Sequence, residues 1–341
     1  MKDSRIRVSL FMRKPRPGDN YSIERLFDAV QASLPVECFH VTRLVCPYES
    51  KGLLRRIMII AWAAIHQGDI NHITGDVNFL GLLLKKSRTV LTIHDSASMH
   101  RLSGLRRKIY ECLWLKMPIS RAGMVTVISK STLNETMLLT GVDSRKFRVV
   151  PCCITGGLKP QKKVFNTLLP RILQVGTKQN KNLLRVIEAI EGIPCLLAIV
   201  GHLDGDQERL LREHGISYEN HINLDDNAMD EQYALADMVI FVSTYEGFGL
   251  PILEAQMVGR VVVTSNRSPM KEVAGAGAIL VNPEDVVEIR SAVRRVIDSS
   301  SCRDELISAG HENIKRFMPK AIAMKYAAVY EELIAQQGCR Q

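Results

Sequence analysis

The 341-residue sequence lacks any apolar run close to the ~20 residues that a helix needs to cross a bilayer. It begins with a strand-like segment instead of the apolar stretch of a signal peptide. The eight cysteines show neither the spacing of metal ligands nor the density of a disulfide scaffold. We therefore expect a cytoplasmic protein whose thiols are reduced and buried.

Internal repeats and low-complexity tracts are also absent, which argues against solenoid and disordered architectures. Apolar residues make up 46% of the chain and charged residues 24%, values that are ordinary for a folded globular protein. The chain is too long for a single core of ordinary size. Two domains with a cleft between them are therefore predicted.

Charge is distributed unevenly along the chain. Residues 1–165 carry 27 lysines and arginines against 12 acidic residues, whereas the remainder carries 18 against 24. Two basic segments with an apolar face and a tryptophan, around Lys51–Trp62 and Arg101–Met117, fit either contact with an anionic membrane or core helices with a solvated basic face. No aromatic stacking pattern or recognition-helix motif accompanies the arginines, so nucleic acid is not expected as a partner.

Hydrophobic patterning alternates short β-branched runs with longer helical periodicities, which is typical of parallel α/β layers. The segment Cys153–Pro170 has little periodicity and separates two such patterns, so we interpret it as an interdomain linker. Two doubly wound domains are predicted. The predicted strands are Ile6–Met12, Val36–Val41, Asp69–Ile73, Thr89–His94, Met124–Ile128, Phe147–Val150, Arg171–Val175, Leu196–Val200, Met238–Val242, Val261–Thr264 and Ala278–Val281.

One strand-turn-helix segment stands out for its chemistry. The strand Met238–Val242 leads to a turn that contains Gly247 and Gly249, and Pro251 then suits the first turn of a helix. In open parallel sheets, ligands bind at the carboxyl ends of the strands, where helix N-termini present unpaired N–H groups to phosphates. Glu246 and Glu254 flank this turn. Composition alone fits an anion-binding turn and a turn with solvated glutamates equally well.

The segment from Glu246 to Glu254 resembles the Glu-x7-Glu signature of the retaining GT-B glycosyltransferases of family 4, also called glycosyltransferase group 1. The resemblance implies an α/β GT-B fold, in which two doubly wound Rossmann-like domains face a deep interdomain cleft. It implies that Glu246 contacts the donor sugar and Glu254 the ribose hydroxyls. The donor diphosphate would then meet the backbone of the intervening turn, formed by Gly247, Phe248, Gly249 and Leu250.

A second glycine turn is similar to a basic turn of the same family. It runs from Val175 through Gly176, Thr177 and Lys178 to Lys181. The resemblance implies that the residues from Gly176 to Lys178, together with Lys181, bind the donor, and that Lys181 neutralises its diphosphate. Asn180 stands where the family usually has an arginine, so we expect neutralisation to rest on Lys181 with help from Lys178.

The first half also carries segments that look like this family. The run Leu-Thr-Ile-His94-Asp95 is similar to its Thr-Val-His-Asp element, which implies that His94 approaches the donor sugar, although spacing alone favours a structural histidine. His72–Asp76 resembles a cleft loop, and Ser129 is interpreted as a helix N-cap. A further loop would lie near the transferred sugar and the acceptor, with Gly18, Asp19, Asn20 and Ser22.

The end of the chain resembles the closing helix of the family, which crosses back onto the first domain. The predicted domains are therefore residues 1–165, on the acceptor side and joined by a helix at 319–338, and residues 166–318, which bind the nucleotide sugar. Cys152 and Cys153 replace the family's usual Asn-Gly. We expect them to be structural, because no histidine lies in register to activate a thiolate.

The resemblance implies a retaining transferase that moves a hexose or deoxyhexose from a nucleoside diphosphate sugar to a glycan or glycolipid hydroxyl, in polysaccharide or lipopolysaccharide synthesis. Glu246, His94 and Lys181 would be catalytic. No cofactor and no obligatory metal are expected, and the acidic pairs Asp204/Asp206 and Asp225/Asp226 are predicted to be solvated loop carboxylates.

Three alternatives stay open: a catalytically silent partner that binds nucleotide sugar, a GT-B phosphorylase and an epimerase. Lipid-linked acceptors, common for such enzymes, favour peripheral contact with the inner face of a membrane.

Overall fold

The computed structural model describes residues 4–15, 22–94 and 104–338. The chain divides into two compact units, of which the first comprises Met1–Cys153 with Met318–Gln341 and the second Ile154–Phe317. Each unit is built on a six-stranded sheet, and the strand pairings found in both are parallel. Helices connect successive strands in both units.

The strands of the first unit are β1 Ile6–Met12, β2 Phe39–Val45, β3 Ile70–Ile73, β4 Thr89–Ile93, β5 Met124–Val127 and β6 Phe147–Val149. Those of the second are β7 Arg171–Val175, β8 Leu196–Val200, β9 Tyr218–His221, β10 Met238–Phe241, β11 Val261–Ser265 and β12 Ile279–Val281.

The helices of the first unit are α1 Ser22–Ser33, α2 Leu53–Ile65, α3 Gly104–Tyr110, α4 Met117–Arg121 and α5 Lys130–Thr140, with a π-helical stretch Glu111–Lys116 between α3 and α4. Those of the second are α6 Leu183–Ile190, α7 Gly205–Glu213, α8 Asp226–Leu235, α9 Leu250–Val258, α10 Met270–Ala274, α11 Val286–Asp298 and α12 Ser300–Ile314. The chain returns to the first unit as α13 Pro319–Gly338.

Strand order confirms the doubly wound prediction. The first sheet runs β2-β1-β3-β4-β5-β6 and the second β12-β11-β10-β7-β8-β9. Counted within the second unit, the latter is the 3-2-1-4-5-6 order of a Rossmann sheet. Its order reverses between β7 and β10, which pair directly. Ligands of such sheets bind where the order reverses, outside the carboxyl ends of the strands.

Strands β3, β4, β5, β10 and β11 are buried at every residue. Buried apolar residues from strands and helices form a core cluster in each unit, for example Phe11 and Leu91 in the first and Ile172 and Ile240 in the second. Burial on both faces of a parallel sheet explains why these strands read as continuous β-branched runs.

Strands β2 and β9 differ from the sequence predictions, because exposed residues interrupt the apolar pattern by which a buried strand is recognised. The second strand begins at Phe39 and not at Val36. Val36 is 72% exposed and lies within a turn in which the Cys38 amide donates to the Pro35 carbonyl. Strand β9 was not predicted, because as an edge strand it is largely exposed and carries polar side chains.

Several predicted loop residues belong to regular elements. His72 lies inside β3 and not in a loop. Asp204 and Asp225 are exposed, as predicted, but they are also helix N-caps, since their side chains accept from the amides of Gln207 at 2.9 Å and Ala228 at 2.8 Å. The N-cap prediction for Ser129 is confirmed by its bond from the Thr132 amide.

The segment predicted to be a linker packs on the second unit from residue 154 onwards. The Gln161 amide donates to the Val258 carbonyl at 3.1 Å, and Lys163 pairs with Asp237 at 2.5 Å. Cys152 and Cys153 are both buried. Burial raises the pKa of the Cys153 thiol to about 12, so it stays protonated at neutral pH.

A chain of buried polar side chains joins α13 to the first sheet. His72 bonds the Tyr330 hydroxyl through Nδ1 and the Thr92 hydroxyl through Nε2, both at 2.7 Å. Thr92 in turn meets Thr126 of the next strand at 2.6 Å. Burial, with a smaller effect of His94, lowers the pKa of His72 to about 3. His72 is therefore neutral when the unit is folded.

This burial predicts an acid-dependent loss of stability. Unfolded His72 takes up a proton below its ordinary pKa of 6.5, whereas the folded state resists protonation down to about 3. Its contribution is therefore complete above pH 6.5 and is lost as pH falls, at up to about 1.4 kcal/mol per pH unit. We expect His72→Gln to make this slope shallower.

Urea unfolding followed by tryptophan fluorescence at several pH values measures how the free energy of unfolding of the first unit changes with pH. Both tryptophans, Trp62 and Trp114, lie in that unit. Replacement of the exposed His40 by glutamine is the matched control. An equally steep acid slope in His72→Gln would show that another group titrates there.

Candidate active site

The structure brings together the lysine and the first glutamate singled out in the sequence. Lys181 follows β7 and Glu246 follows β10, the two strands between which the sheet order reverses. Lys181 Nζ lies 2.6 Å from Glu246 Oε1, and both side chains are mostly buried, at 20% and 14% exposure. The ammonium also lies 4.6 Å from the centre of the Phe241 ring. A cation and a carboxylate thus share the ligand-binding end of the sheet.

Asn180 ties the two loops to each other. Its side-chain amide donates to the Tyr245 carbonyl at 2.9 Å and to Glu246 Oε1 at 3.3 Å. Its own carbonyl accepts from the Thr244 amide at 2.9 Å. A neutral amide in this place fixes the loops and supplies no charge. The predicted reliance on Lys181 for positive charge is consistent with this arrangement and stays a prediction.

Gly176 allows Lys181 to fold back over the β7 turn. Its φ is +91°, and a Cβ there would lie 2.9 Å from Lys181 Cγ. Below it, the buried Gln174 donates through Nε2 to the carbonyls of Gly176 at 3.2 Å and Lys181 at 3.0 Å. The side chain of Gln174, a residue of β7, therefore holds both ends of this turn.

Thr177 is held by the loop that follows β8. Its hydroxyl donates to the His202 carbonyl at 2.5 Å, and its carbonyl accepts from Gln207 Nε2 at 2.6 Å. Gly201, with φ +140°, lies against the Thr177 side chain where a Cβ would approach within 3.0 Å. Lys178, by contrast, is exposed. Gly176 to Lys178 thus form one continuous turn in which only Lys178 projects fully into solvent.

The second glycine turn begins helix α9. Gly249 has φ +108° and is the residue before Leu250, the first residue of the helix. Phe248 is buried and packs edge-on against Phe317 with ring centres 5.9 Å apart. The first amides of a helix have no acceptor within the helix, so the start of α9 presents the donors and the positive dipole end that phosphates favour.

Glu254 is held by a residue that the sequence reasoning missed. The hydroxyl of the buried Tyr233, on α8, donates to Glu254 Oε2 at 2.5 Å. Burial, and to a lesser degree Glu254 itself, raises the pKa of Tyr233 well above its usual value. The phenol is therefore a neutral donor. In the sequence, Tyr233 is a single tyrosine in an amphipathic helix, and nothing distinguishes it from an ordinary core residue.

Asn182 is a second residue whose role was missed. It adopts a left-handed conformation at φ +63°, directly before α6. Its side-chain amide donates to the carbonyls of Val242 at 3.0 Å and Pro283 at 2.6 Å. Asparagine tolerates this backbone conformation better than other non-glycine residues, and that preference was the available sequence signal.

His94 lies in the first unit, at the carboxyl end of β4. Its ring is half-buried, and Nε2 donates to the Thr74 carbonyl at 2.7 Å. Gly75, with φ +129°, allows this approach, since a Cβ there would lie 2.6 Å from His94 Cδ2. Gly18, Asp19 and Asn20 lie outside the described residues, and Ser22 is described only as the first residue of α1.

Solved structures with the same architecture identify the class of fold. HepE of Anabaena, solved with UDP and glucose, superposes with a TM-score of 0.75 over 96% of this chain and 100% of that one, at 15% sequence identity. Sucrose-phosphate synthase of Thermosynechococcus elongatus superposes with a TM-score of 0.72 over 97% and 100%, at 17% identity. With its two Rossmann-like units, the chain has the GT-B fold.

A family match is found in the second unit. Residues 158–313 match the family of glycosyl transferases group 1. This segment holds both glycine turns and the Lys181–Glu246 pair.

Among curated relatives, the chain is similar to the MMP α-(1→4)-mannosyltransferase of Mycolicibacterium hassiacum, with 34% identity over 39% of this chain and 34% of the relative. It is also similar to O-antigen chain mannosyltransferase B of Escherichia coli, with 36% identity over 32% and 28%. The matched part thus spans about a third of the length of these relatives.

The close approach at Gly176 predicts a specific coupling to Lys181. Gly176→Ala forces a left-handed alanine, at roughly 1–2 kcal/mol, and also pushes Lys181 away from Glu246. Gly192→Ala is the matched control, because Gly192 has φ +65° and open space around its Cβ position. We expect Gly176→Ala to destabilise the second unit more than Gly192→Ala does.

Urea unfolding followed by circular dichroism, repeated in a Lys181→Ala background, measures the coupling. The excess loss should disappear there, because the obstructing side chain is gone. Fully additive losses would contradict the account.

Proposed function

We propose that this chain transfers a hexose or deoxyhexose from a nucleoside diphosphate sugar to a hydroxyl of a glycan or glycolipid acceptor, with retention of anomeric configuration and without a metal ion. The observation that carries the proposal is the Lys181–Glu246 pair, 2.6 Å apart, where the order of the second sheet reverses. The match of residues 158–313 to glycosyl transferases group 1, and a relative named as an O-antigen chain mannosyltransferase, support it.

The donor diphosphate would lie between the two glycine turns. Lys181 can exchange Glu246 for a phosphate oxygen, since an ammonium bonds either anion. The amides from Gly247 to Leu250 and the dipole of α9 add donors. These groups would stabilise negative charge on the leaving diphosphate as the bond between the anomeric carbon and the phosphate oxygen breaks.

Glu246, once released by Lys181, would accept a hydrogen bond from a hydroxyl of the donor sugar. His94 remains a predicted contact with the same sugar. In the reaction that we propose, the acceptor hydroxyl forms the new bond to the anomeric carbon on the face that the diphosphate leaves. Its proton passes to the departing phosphate oxygen. The products are the glycosylated acceptor and a nucleoside diphosphate.

Donor turnover tests the proposal directly. The protein is incubated with GDP-mannose, UDP-glucose and other nucleoside diphosphate sugars, in EDTA, with a lipid-linked or glycan acceptor, and release of nucleoside diphosphate is followed. We expect acceptor-dependent release with at least one donor and an unchanged anomeric configuration in the product. The relatives' names place GDP-mannose first among the donors to try.

The same assay separates the alternatives. Binding without turnover on any acceptor would identify a silent partner. Strict dependence on inorganic phosphate would identify a phosphorylase, and release of a free epimerised sugar nucleotide an epimerase. Each of these outcomes would overturn the proposed transfer.

An exposed apolar surface on the first unit supports contact with an anionic membrane, which we propose on the inner, cytoplasmic face. Among the described residues, no helix has the length and apolarity to cross a bilayer. Helix α2 nevertheless exposes Leu53, Leu54, Ile57, Met58 and Ile65, and the α3–α4 segment exposes Ile109, Leu113 and Met117.

The two segments adjoin and carry basic residues. The guanidinium of Arg56 on α2 lies 4.5 Å from the ring centre of Trp114 in the α3–α4 segment. Lys51, Arg55, Arg107 and Lys108 are exposed around the apolar side chains. A bilayer interface rich in anionic lipid matches both features, because apolar residues enter the acyl boundary while basic side chains meet the headgroups.

Vesicle binding tests this surface. We expect the protein to sediment with vesicles of phosphatidylcholine and phosphatidylglycerol at low salt, and Leu54→Gln to weaken binding by roughly tenfold, because a leucine side chain leaves the interface. Leu138→Gln is the matched control, since Leu138 is 86% exposed on another helix of the same unit. Equal effects of both substitutions, or no binding at all, would exclude the membrane surface.

A further inference from the structure

Glu254, the second glutamate of the motif, accepts a hydrogen bond from a tyrosine that is itself fully buried. Tyr233 is fully buried on α8, and its hydroxyl donates to Glu254 Oε2 at 2.5 Å. Its backbone is fixed as well, because Arg260 Nε donates to the Tyr233 carbonyl at 3.1 Å and Arg260 Nη2 to the Ala234 carbonyl at 2.8 Å. Both the hydroxyl and the backbone of Tyr233 thus have defined partners within the second unit.

The two glutamates of the motif therefore have different kinds of donor. Glu246 accepts from the ammonium of Lys181, a flexible cation that a phosphate can recruit. Glu254 accepts from a buried phenol that carries no charge and cannot move with a ligand. The Glu246 carboxylate can therefore exchange its partner, whereas the Glu254 carboxylate keeps its orientation.

The position of Glu254 makes this orientation relevant to a ligand. It lies five residues into α9, roughly one helical turn beyond the start of the helix. Its side chain is half-buried, so the phenol holds it from the core side while the residue still reaches the surface. A buried tyrosine hydroxyl needs a partner in any core. Here that partner is a carboxylate beside the proposed diphosphate site, not a backbone carbonyl.

We propose that Tyr233 is a positioning residue for nucleotide recognition: it fixes the Glu254 carboxylate so that Glu254 accepts hydrogen bonds from the 2′- and 3′-hydroxyls of the donor ribose. The inference rests on the proposed nucleotide-sugar function and names how that site reads the sugar of its nucleotide. Two vicinal hydroxyls match an acceptor-only carboxylate whose plane is held still.

Calorimetric titration with nucleotides tests the inference without requiring the acceptor. Wild-type protein is titrated with GDP, UDP and the 2′,3′-dideoxy forms of both. We expect the preferred ribonucleotide to bind roughly tenfold or more tightly than its dideoxy form, because a hydrogen bond to a charged group is lost. In Tyr233→Phe most of this preference should disappear, through weaker binding of the ribonucleotide alone.

Tyr218→Phe is the matched control, since Tyr218 is a partly exposed tyrosine of the same unit, and it should retain the wild-type preference. Glu254→Asp is a second route to the same result if Tyr233→Phe folds poorly. The shorter side chain withdraws the carboxylate from the fixed phenol and keeps the charge. It should also lose the preference for ribose.

Two outcomes would overturn the inference. In the first, Tyr233→Phe or Glu254→Asp folds and keeps the full preference for the ribonucleotide over its dideoxy form. In the second, Tyr233→Phe weakens the binding of both nucleotides equally, which indicates a purely structural role. Failure of wild-type protein to bind any of the four probes would overturn the proposed function itself.

Discussion

The ion pair between Lys181 and Glu246 is the constraint on which the second unit's ligand-binding end depends. A lysine near the start of a helix is unfavourable unless an anion faces it, and Glu246 is that anion. The neighbouring residues serve this pair: Gly176 leaves room for the lysine stem, Gln174 holds the turn, and Asn180 holds the loop of the glutamate. Contacts within the second unit thus hold both members of the ion pair.

This assembly separates two tasks that a nucleotide sugar presents. In the proposed complex, Lys181 and the start of α9 would supply the positive charge and amide donors that the diphosphate needs. Glu254, held by Tyr233, would supply a fixed acceptor for the ribose. On this proposal the diphosphate displaces the Lys181–Glu246 contact, whereas the Tyr233–Glu254 contact is kept. The division follows from the donors, a lysine in one case and a buried phenol in the other.

The sequence was sufficient for the parts of the structure that follow from pattern. Buried parallel strands read as β-branched runs. Lys181 and Glu246 were both assigned to the donor because their motifs resemble those of a known family, and the structure places the two side chains in contact. Residues whose role depends on distant partners could not be recognised. Tyr233 reads as core, and nothing in the sequence indicates that His72, in a predicted strand, bonds the distant Tyr330. Asp204 and Asp225 read as an acidic loop because capping requires knowing where the helix begins.

We propose that Lys181 is shared between Glu246 and the donor diphosphate. The most direct measurement is the dissociation constant of the nucleoside diphosphate for wild-type protein, Glu246→Gln and Lys181→Met with Glu246→Gln. Glu246→Gln removes the competing carboxylate, so the account predicts several-fold tighter binding, most of which is lost when Lys181 is also replaced. Unchanged or weaker binding to Glu246→Gln would contradict it.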